Sequence, residues 1–561
     1  MWDTLHVPAA EQVGAYYEAG WWRRSTFLDD LERHARAAGE RPAIIAYEAG
    51  RHARTLTYAD LATTVERLAV GLARLGVERG DVVVLYLPNR WMLTPLYLAC
   101  SRIGAVGSPV IPALGGRELA FVLSASRAKV CVTVDVFNDV DYAVRLAEVA
   151  PPTLRHRVVV GDAEATGAMS FDRLLAGTAG TPVEGRDPGA LAAPVGSDEP
   201  ALLLYTSGTT GQMKGVVHSP NTLYAAARAV SEPHALTAGD VVSIPNFMTH
   251  MAGATYAGFM PLLLGATCVM QDTNTDMALL LDLVEAHGVT WAYASPSYLN
   301  QLLEAQRGKP RDTGSLQRIV SGSAPVQPDL IAQVREVFDV PLHTLWGMTE
   351  NGAVTVTRPD DPEGWGAHSD GRPMPWMRLR IDAETAGDAE TGGDADAGSG
   401  RLWVRGASQC LGYLDQRDLY DGCLDPEGWF DTGDLARDDG RGGIRITGRR
   451  TDLITRASGQ KVSTLEVETV LLRHPAIADV VLVGYPDPKV AGGELVCAVV
   501  VPSGSPPTVR ELHEYLDRER MASVLWPDRV QFVWELPKNA IGKVLRQPLR
   551  QRLEIAQRTR R

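Results

Sequence analysis

Residues 205–219 read YTSGTTGQMKGVVHS. The apolar run from Ala201 to Tyr205 ahead of them reads as a strand, and it delivers the chain into a loop of hydroxyls, glycines and one lysine. Glycines at Gly208 and Gly211 let backbone amides approach an anion closely. The hydroxyls of Thr206, Ser207, Thr209 and Thr210 can donate hydrogen bonds to it, and Lys214 adds a positive charge. The stretch is therefore expected to cradle phosphates. It is not a Walker loop, because Gly211 is followed by Gln212 and Met213 rather than by Lys and Ser or Thr.

Outward from this loop, short apolar runs alternate with helical patterns. Val82 to Leu87 reads as a buried strand, Trp91 to Cys100 as a helix and Ala105 to Val110 as the next strand. Thr57 and Asp60 form a capping box that opens a helix running through Ala73. Leu279 to His287 reads as a helix and Val289 to Ala294 as a strand. Such texture predicts an α/β fold, with largely parallel sheets covered by helices. Residues 161–200 read as a surface linker around one apolar piece, Phe171 to Leu175. Residues 382–400 hold six acidic residues and no basic one, and are expected to form a mobile loop between two strands.

The texture changes after Arg449. Ser463 and Glu466 read as a capping box ahead of Val467, Val470 and Leu471. Ala478 to Val483 and Leu495 to Val501 read as strands. Thr508 and Glu511 open a helix with Val509, Leu512, Tyr515 and Leu516 on one face. The expected division is a large domain at 1–449 and a small α+β domain at 450–561.

Further stretches follow the loop in order. They are SGSAP at 321–325, LWGMTE at 345–350, Gly371-Arg372-Pro373, Gly412-Tyr413, WFDTGDL at 429–435, Gly448-Arg449 and PKNAIGK at 537–543. Together with 205–219 they resemble the adenylate-forming superfamily, which holds acyl- and aryl-CoA synthetases, adenylation domains of peptide synthetases and luciferases. The resemblance runs from about Trp21 to Arg550. It is strongest to the branch of medium-chain-fatty-acid and cyclohexanecarboxylate CoA ligases.

The resemblance implies attack of a carboxylate on the α-phosphate of ATP with loss of pyrophosphate, and then a thioester with CoA. It implies that Thr206 to Lys214 hold the β- and γ-phosphates, with Gly322, Ser323 and Ala324 along the adenine and Trp346 stacked on it. Asp434 would bind the ribose hydroxyls with Arg449 nearby. Glu350 would ligate Mg²⁺ together with Thr206, a hard carboxylate for a hard ion. Thr349 would hydrogen-bond the α-phosphate, and Lys543 would bridge it to the substrate carboxylate. His250 would guide that carboxylate, beside Met248, Thr249, Met251, Tyr256 and Ser295 in the acid pocket. Thr249, where readers of 2-hydroxybenzoates carry asparagine, disfavours salicylate-like acids.

The resemblance also implies a swing of the C-terminal domain about Thr451. The CoA-facing segment at 455–461 is one residue longer than in relatives. That departure keeps an alternative open: loading of a carrier protein, or ATP-dependent activation of nitrite to diazotise an arylamine.

Composition narrows the remaining classes. Fifty-five basic against 68 acidic residues give a net charge of −13, which disfavours nucleic-acid binding. The six cysteines show no metal-ligand or disulfide spacing. No leader and no membrane-spanning run is read, so a cytoplasmic enzyme is expected, and the resemblance, many of whose members are dimers, allows a homodimer.

Overall fold

The computed structural model describes all residues except 7, 178–190, 208–212, 274–275, 384–398, 459–460, 488–489, 491–492, 539–543 and 559–561. The chain divides into two compact units. The first holds residues 1–378 and 405–423, the second 379–404 and 424–561.

Two large sheets build the first unit. In one, the strand Val82–Tyr86 lies between Val106–Pro109 and Val130–Val134, all parallel. All five residues of Val82–Tyr86 are buried, as a strand covered on both faces requires. Each such apolar side chain contributes about 1.5–3 kcal/mol on burial. The same sheet continues through Leu202–Ser207, parallel to its neighbour, and then turns antiparallel through Met213–His218 and Gly412–Tyr413.

The other sheet carries Val241–Ser243, Trp291–Tyr293, Arg318–Ser321 and Leu342–Met348 as adjacent parallel strands. Its edges turn antiparallel at Gly352–Val356 and Arg51–Thr57. A cluster of buried residues, Leu281, Leu299, Ile319 and Val334 among them, fills the space against this sheet.

Local signals in the sequence work as expected at several points. The Thr57 hydroxyl accepts from the Asp60 N–H at 3.1 Å, and the Asp60 carboxylate accepts from the Thr57 N–H at 3.1 Å, opening the helix Tyr58–Arg74. Thr508 and Glu511 do the same for Val509–Arg518, which buries Leu512 and Leu516. Ser463 departs from its expected cap. It stands at the head of Thr464–Leu471 without a side-chain cap bond, its hydroxyl turned instead to a neighbouring strand end, where it donates to the Thr447 carbonyl at 2.7 Å. The segment 161–200 is not only a surface linker. Met169–Ser170 adds a parallel strand to the first sheet, and Phe171 and Leu174 are buried. The acidic stretch 382–400 joins strands ending at Ala383 and starting at Gly400, and its middle lies outside the described residues.

Met377–Ala383, Gly400–Gly406, Phe430–Asp438 and Ile444–Arg449 form a four-stranded sheet that belongs to the second unit except for the strand ends at 377–378 and 405–406. A three-stranded sheet of Ile477–Pro486, Glu494–Pro502 and Arg529–Phe532 carries helices against its core of Val480, Leu482, Val496 and Val500. Among the described residues, no helix is long and apolar enough to cross a membrane.

Candidate active site

The site assembles where parallel strands end, the usual place for ligands in open α/β sheets. Four adjacent strands of one sheet deliver four candidate segments. The segment 244–256 follows Val241–Ser243, and Ser295 follows Trp291–Tyr293. Residues 322–324 follow Arg318–Ser321, and Trp346 lies near the end of Leu342–Met348.

The first segment is held from behind. Asn89 accepts from the Met248 N–H at 2.8 Å and donates to the Asn246 carbonyl at 3.0 Å, and the Tyr97 hydroxyl donates to the Met248 carbonyl at 3.0 Å. Gly253 is needed because a Cβ there would lie 2.0 Å from the Phe247 carbonyl oxygen. Met251–Gly253 then runs into a π-helical stretch at Ala254–Phe259, a widened turn common at functional sites. Met248, Thr249, Met251, Tyr256 and Ser295 are all buried, and the Thr249 hydroxyl has no hydrogen-bond partner among the described residues. Tyr256 packs against Tyr293 at 5.0 Å between ring centroids. The Tyr293 hydroxyl meets the Ser323 hydroxyl at 2.7 Å, and Ser323 adopts φ 69°. One aromatic chain thus links the candidate acid pocket to the candidate adenine loop.

His250 is half-buried, and desolvation lowers its pKa to about 4. At neutral pH it is an uncharged imidazole, able to donate one hydrogen bond to a carboxylate but not to pair with it as a cation.

The turn at 349–351 is braced at every carbonyl. His218 Nε2 donates to the Thr349 carbonyl at 2.7 Å, and its Nδ1 meets the Thr222 hydroxyl at 3.0 Å. The Cys410 N–H donates to the Glu350 carbonyl at 2.7 Å, and the Ser408 hydroxyl to the Asn351 carbonyl at 2.7 Å. The Glu350 side chain accepts from the Tyr413 hydroxyl through Oε1 at 2.7 Å. Burial first, and the Glu350 carboxylate second, push the Tyr413 phenol far above the ordinary range, so it remains a donor. Lys214 stands over the same ring, with Nζ 4.9 Å from its centroid. Lys214 itself lies opposite Thr206 in the hairpin of Leu202–Ser207 and Met213–His218.

The braces from His218, Ser408 and Cys410 are not legible in the sequence, since each joins residues far apart in the chain. Gly412-Tyr413 is a signal without a role until Glu350 stands beside it. Gly208, Thr209, Thr210, Gly211 and Lys543 lie outside the described residues, as does the side chain of Ser207. Asp434 and Arg449 belong to the second unit. They face one another across antiparallel strands and form an ion pair of 2.7 Å.

Three buried histidines give this unit an acid limit. Desolvation lowers His218 and His343 to about 4 and His234 to about 3; the neighbouring His343 and His234 rings lie 4.7 Å apart. Each folded-state pKa lies below the ordinary 6.5, so protonation favours the unfolded chain. Their stabilisation is present above pH 6.5 and is lost as pH falls through 6.5 toward 4. Thermal midpoints measured across pH 7.5–4 are expected to fall steadily below 6.5, and a flat profile down to pH 4.5 would refute this.

Comparison with known proteins decides the family. The AMP-binding enzyme family matches residues 31–414, and the AMP-binding enzyme C-terminal domain matches residues 466–543. The chain belongs to the AMP-binding enzyme family. This AMP-binding enzyme is 30% identical over 540 residues to the medium-chain fatty-acid–CoA ligase of Escherichia coli K12, covering 95% of this chain and 91% of that one. It is 32% identical over 556 residues to a salicyl-AMP ligase / salicyl-S-ArCP synthetase of Mycobacterium tuberculosis, covering 98% and 94%. The o-succinylbenzoate CoA synthetase of Bacillus subtilis, solved with its acyl-adenylate, superposes with a TM-score of 0.77 at 26% identity, over 94% of this chain and 98% of that one. The enzyme is thus an ATP-using, AMP-forming acid ligase of the acid–CoA ligase kind.

The residues present fit a nucleotide carrying a divalent cation. Among the described residues, Glu350 Oε2 takes no hydrogen bond or ion pair and Lys214 makes no ion pair, although the carboxylate is buried. Asn351, wholly buried, leaves both carboxamide atoms without a partner among the described residues. Oxygen donors beside an unpaired ammonium suit a hard cation and phosphate oxygens.

Proposed function

We propose that this enzyme joins a small carboxylic acid to AMP and then hands the acyl group to the thiol of CoA. The observation that carries the reading is the trio Lys214–Tyr413–Glu350, in which a cation and a carboxylate share one phenol and neither forms an ion pair among the described residues. In the first half-reaction the acid carboxylate attacks the α-phosphorus, and the bond to the β-phosphate oxygen breaks. Charge gathers on phosphate oxygens, so catalysis is positioning plus fixed cations.

In this reading Thr206 to Lys214 bind the β- and γ-phosphates. Trp346 and Gly322 to Ala324 hold the adenine, and Asp434 and Arg449 hold the ribose. Thr349 donates to an α-phosphate oxygen, and Lys543 places its ammonium between that phosphate and the incoming carboxylate. His250 orients the carboxylate as a neutral donor. Glu350, with Thr206, would hold Mg²⁺, which when bound neutralises charge on the phosphates. The second half-reaction follows a turn of the chain at Thr451, so that 1–449 and 450–561 act as separate bodies.

The test is pyrophosphate release against a panel of aliphatic, alicyclic and aryl acids, with and without CoA. At least one acid is expected to trigger release, and CoA to raise turnover with a thioester as product. Release with no thioester and no response to CoA would refute the second half of the reading.

A further inference from the structure

Tyr413 comes from a two-residue strand, Gly412–Tyr413, at the edge of one sheet, and Glu350 from the turn beyond a strand of the other. The register Val216↔Tyr413 and Val217↔Gly412 fixes the tyrosine beside the hairpin that carries Lys214. The backbone around it is tied on both sides: the Leu411 N–H donates to the Val217 carbonyl at 2.8 Å, and the Leu414 N–H to the Gly215 carbonyl at 2.8 Å. The ring is 1% exposed and packs edge-on against Tyr420 at 5.2 Å. Its backbone is therefore fixed by the sheet, and its ring by burial against Tyr420.

The two groups it touches would otherwise be drawn together. An ammonium and a carboxylate in a partly buried setting attract strongly, and a formed pair would have to break before either met a ligand. Here Lys214 is held over the ring face by a cation–π contact, a weaker interaction that a phosphate can displace. Glu350 is held by one oxygen only, through the hydrogen bond from the Tyr413 hydroxyl to Oε1 at 2.7 Å.

We propose that Tyr413 is a positioning residue that keeps Lys214 and Glu350 from pairing and aims each at its own part of the cation-bearing nucleotide. The hydroxyl locks Glu350 Oε1 and leaves Oε2 for the metal, while the ring face keeps Lys214 for the phosphates. The inference rests on the functional reading above.

Two substitutions separate the two roles, and calorimetric titration with ATP, with and without Mg²⁺, reads them without turnover. Tyr413→Phe keeps the ring and loses the hydroxyl. ATP affinity without Mg²⁺ should stay within about twofold of the parent, since the cation–π contact remains. The gain in affinity on adding Mg²⁺ should shrink roughly tenfold or more, the worth of a hydrogen bond to a charged group. The Mg²⁺ concentration for half-maximal pyrophosphate release should rise in step.

Tyr413→Leu removes the ring face as well. ATP affinity should then fall even without Mg²⁺, because Lys214 turns to Glu350. Adding Glu350→Gln to Tyr413→Leu should restore Mg²⁺-free ATP binding by removing that rival, which a purely structural loss would not allow. Parent-like Mg²⁺ dependence in Tyr413→Phe would overturn the orienting role. Failure of Glu350→Gln to restore binding would overturn the separating role. If the parent enzyme binds ATP with no dependence on Mg²⁺, the functional reading itself fails and the inference with it, a result distinct from either variant's.

Discussion

Replacing Glu350 by glutamine is expected to lower pyrophosphate release by roughly 10²–10³-fold, the scale seen when one fixed electrostatic group is removed from an active site. Glutamine keeps the size of the side chain and can still accept from Tyr413 through its carbonyl oxygen. Every backbone brace around the turn, from His218, Cys410 and Ser408, stays in place. What is lost is the negative charge and one anionic oxygen, so the fold should be untouched while the need for Mg²⁺ rises sharply. Rates are to be measured over a Mg²⁺ titration at saturating acid. An unchanged rate at low Mg²⁺ would remove Glu350 from the cation site.

The second large effect lies in the other unit and concerns stability. Arg546 donates to both oxygens of Glu468 at 2.7 and 2.8 Å, to Asp452 at 3.0 Å and to the Leu482 carbonyl at 3.3 Å. Glu468 is buried and also accepts from the Leu482 N–H at 2.6 Å; burial pushes its carboxyl up to about 7, against the pull of Arg546. One guanidinium therefore ties the turn at 450–452, the helix Thr464–Leu471, the strand Ile477–Pro486 and the start of Arg546–Arg558. Arg546→Ala leaves a buried carboxylate without its partner, and such losses cost about 3–5 kcal/mol. Denaturant unfolding should show a loss of that size, with Arg546→Lys recovering only part of it, because an ammonium cannot grip both oxygens in a fork. A loss below about 1 kcal/mol would show that the pair is replaceable by water.

Legibility in the sequence followed the range of the interaction. Capping boxes at Thr57 and Thr508 are four-residue patterns, and both stand as read. The buried strand at Val82–Tyr86 and the strand Leu202–Ser207 are likewise local runs rich in apolar residues. Ser463 shows where local reading stops. Its pattern is that of a cap, but its hydroxyl is turned to a carbonyl 16 residues away. Phe171 and Leu174 stand in a stretch whose average composition is that of a linker, and averages conceal two side chains that anchor it. The contacts that shape the active site are longer still. Tyr413 and Glu350 are 63 residues apart, and His218 and Thr349 are 131 apart. No periodicity reports such pairs. The ordered short stretches pointed to the family as a set, whereas the geometry that joins Lys214 to Glu350 exists only once two sheets have formed.

The segment 244–256, the proposed acid side of the site, leaves the sheet from one strand and is propped by Asn89 and Tyr97, whereas the turn at 349–351 leaves from another and is propped by 218 and 408–413. The two sets of props share no residue. On the proposed reading, side chains along 244–256 can be exchanged to alter the acid taken while the props around 349–351 keep their partners. A change of substrate then becomes a local edit that leaves the braces of Glu350 where they are.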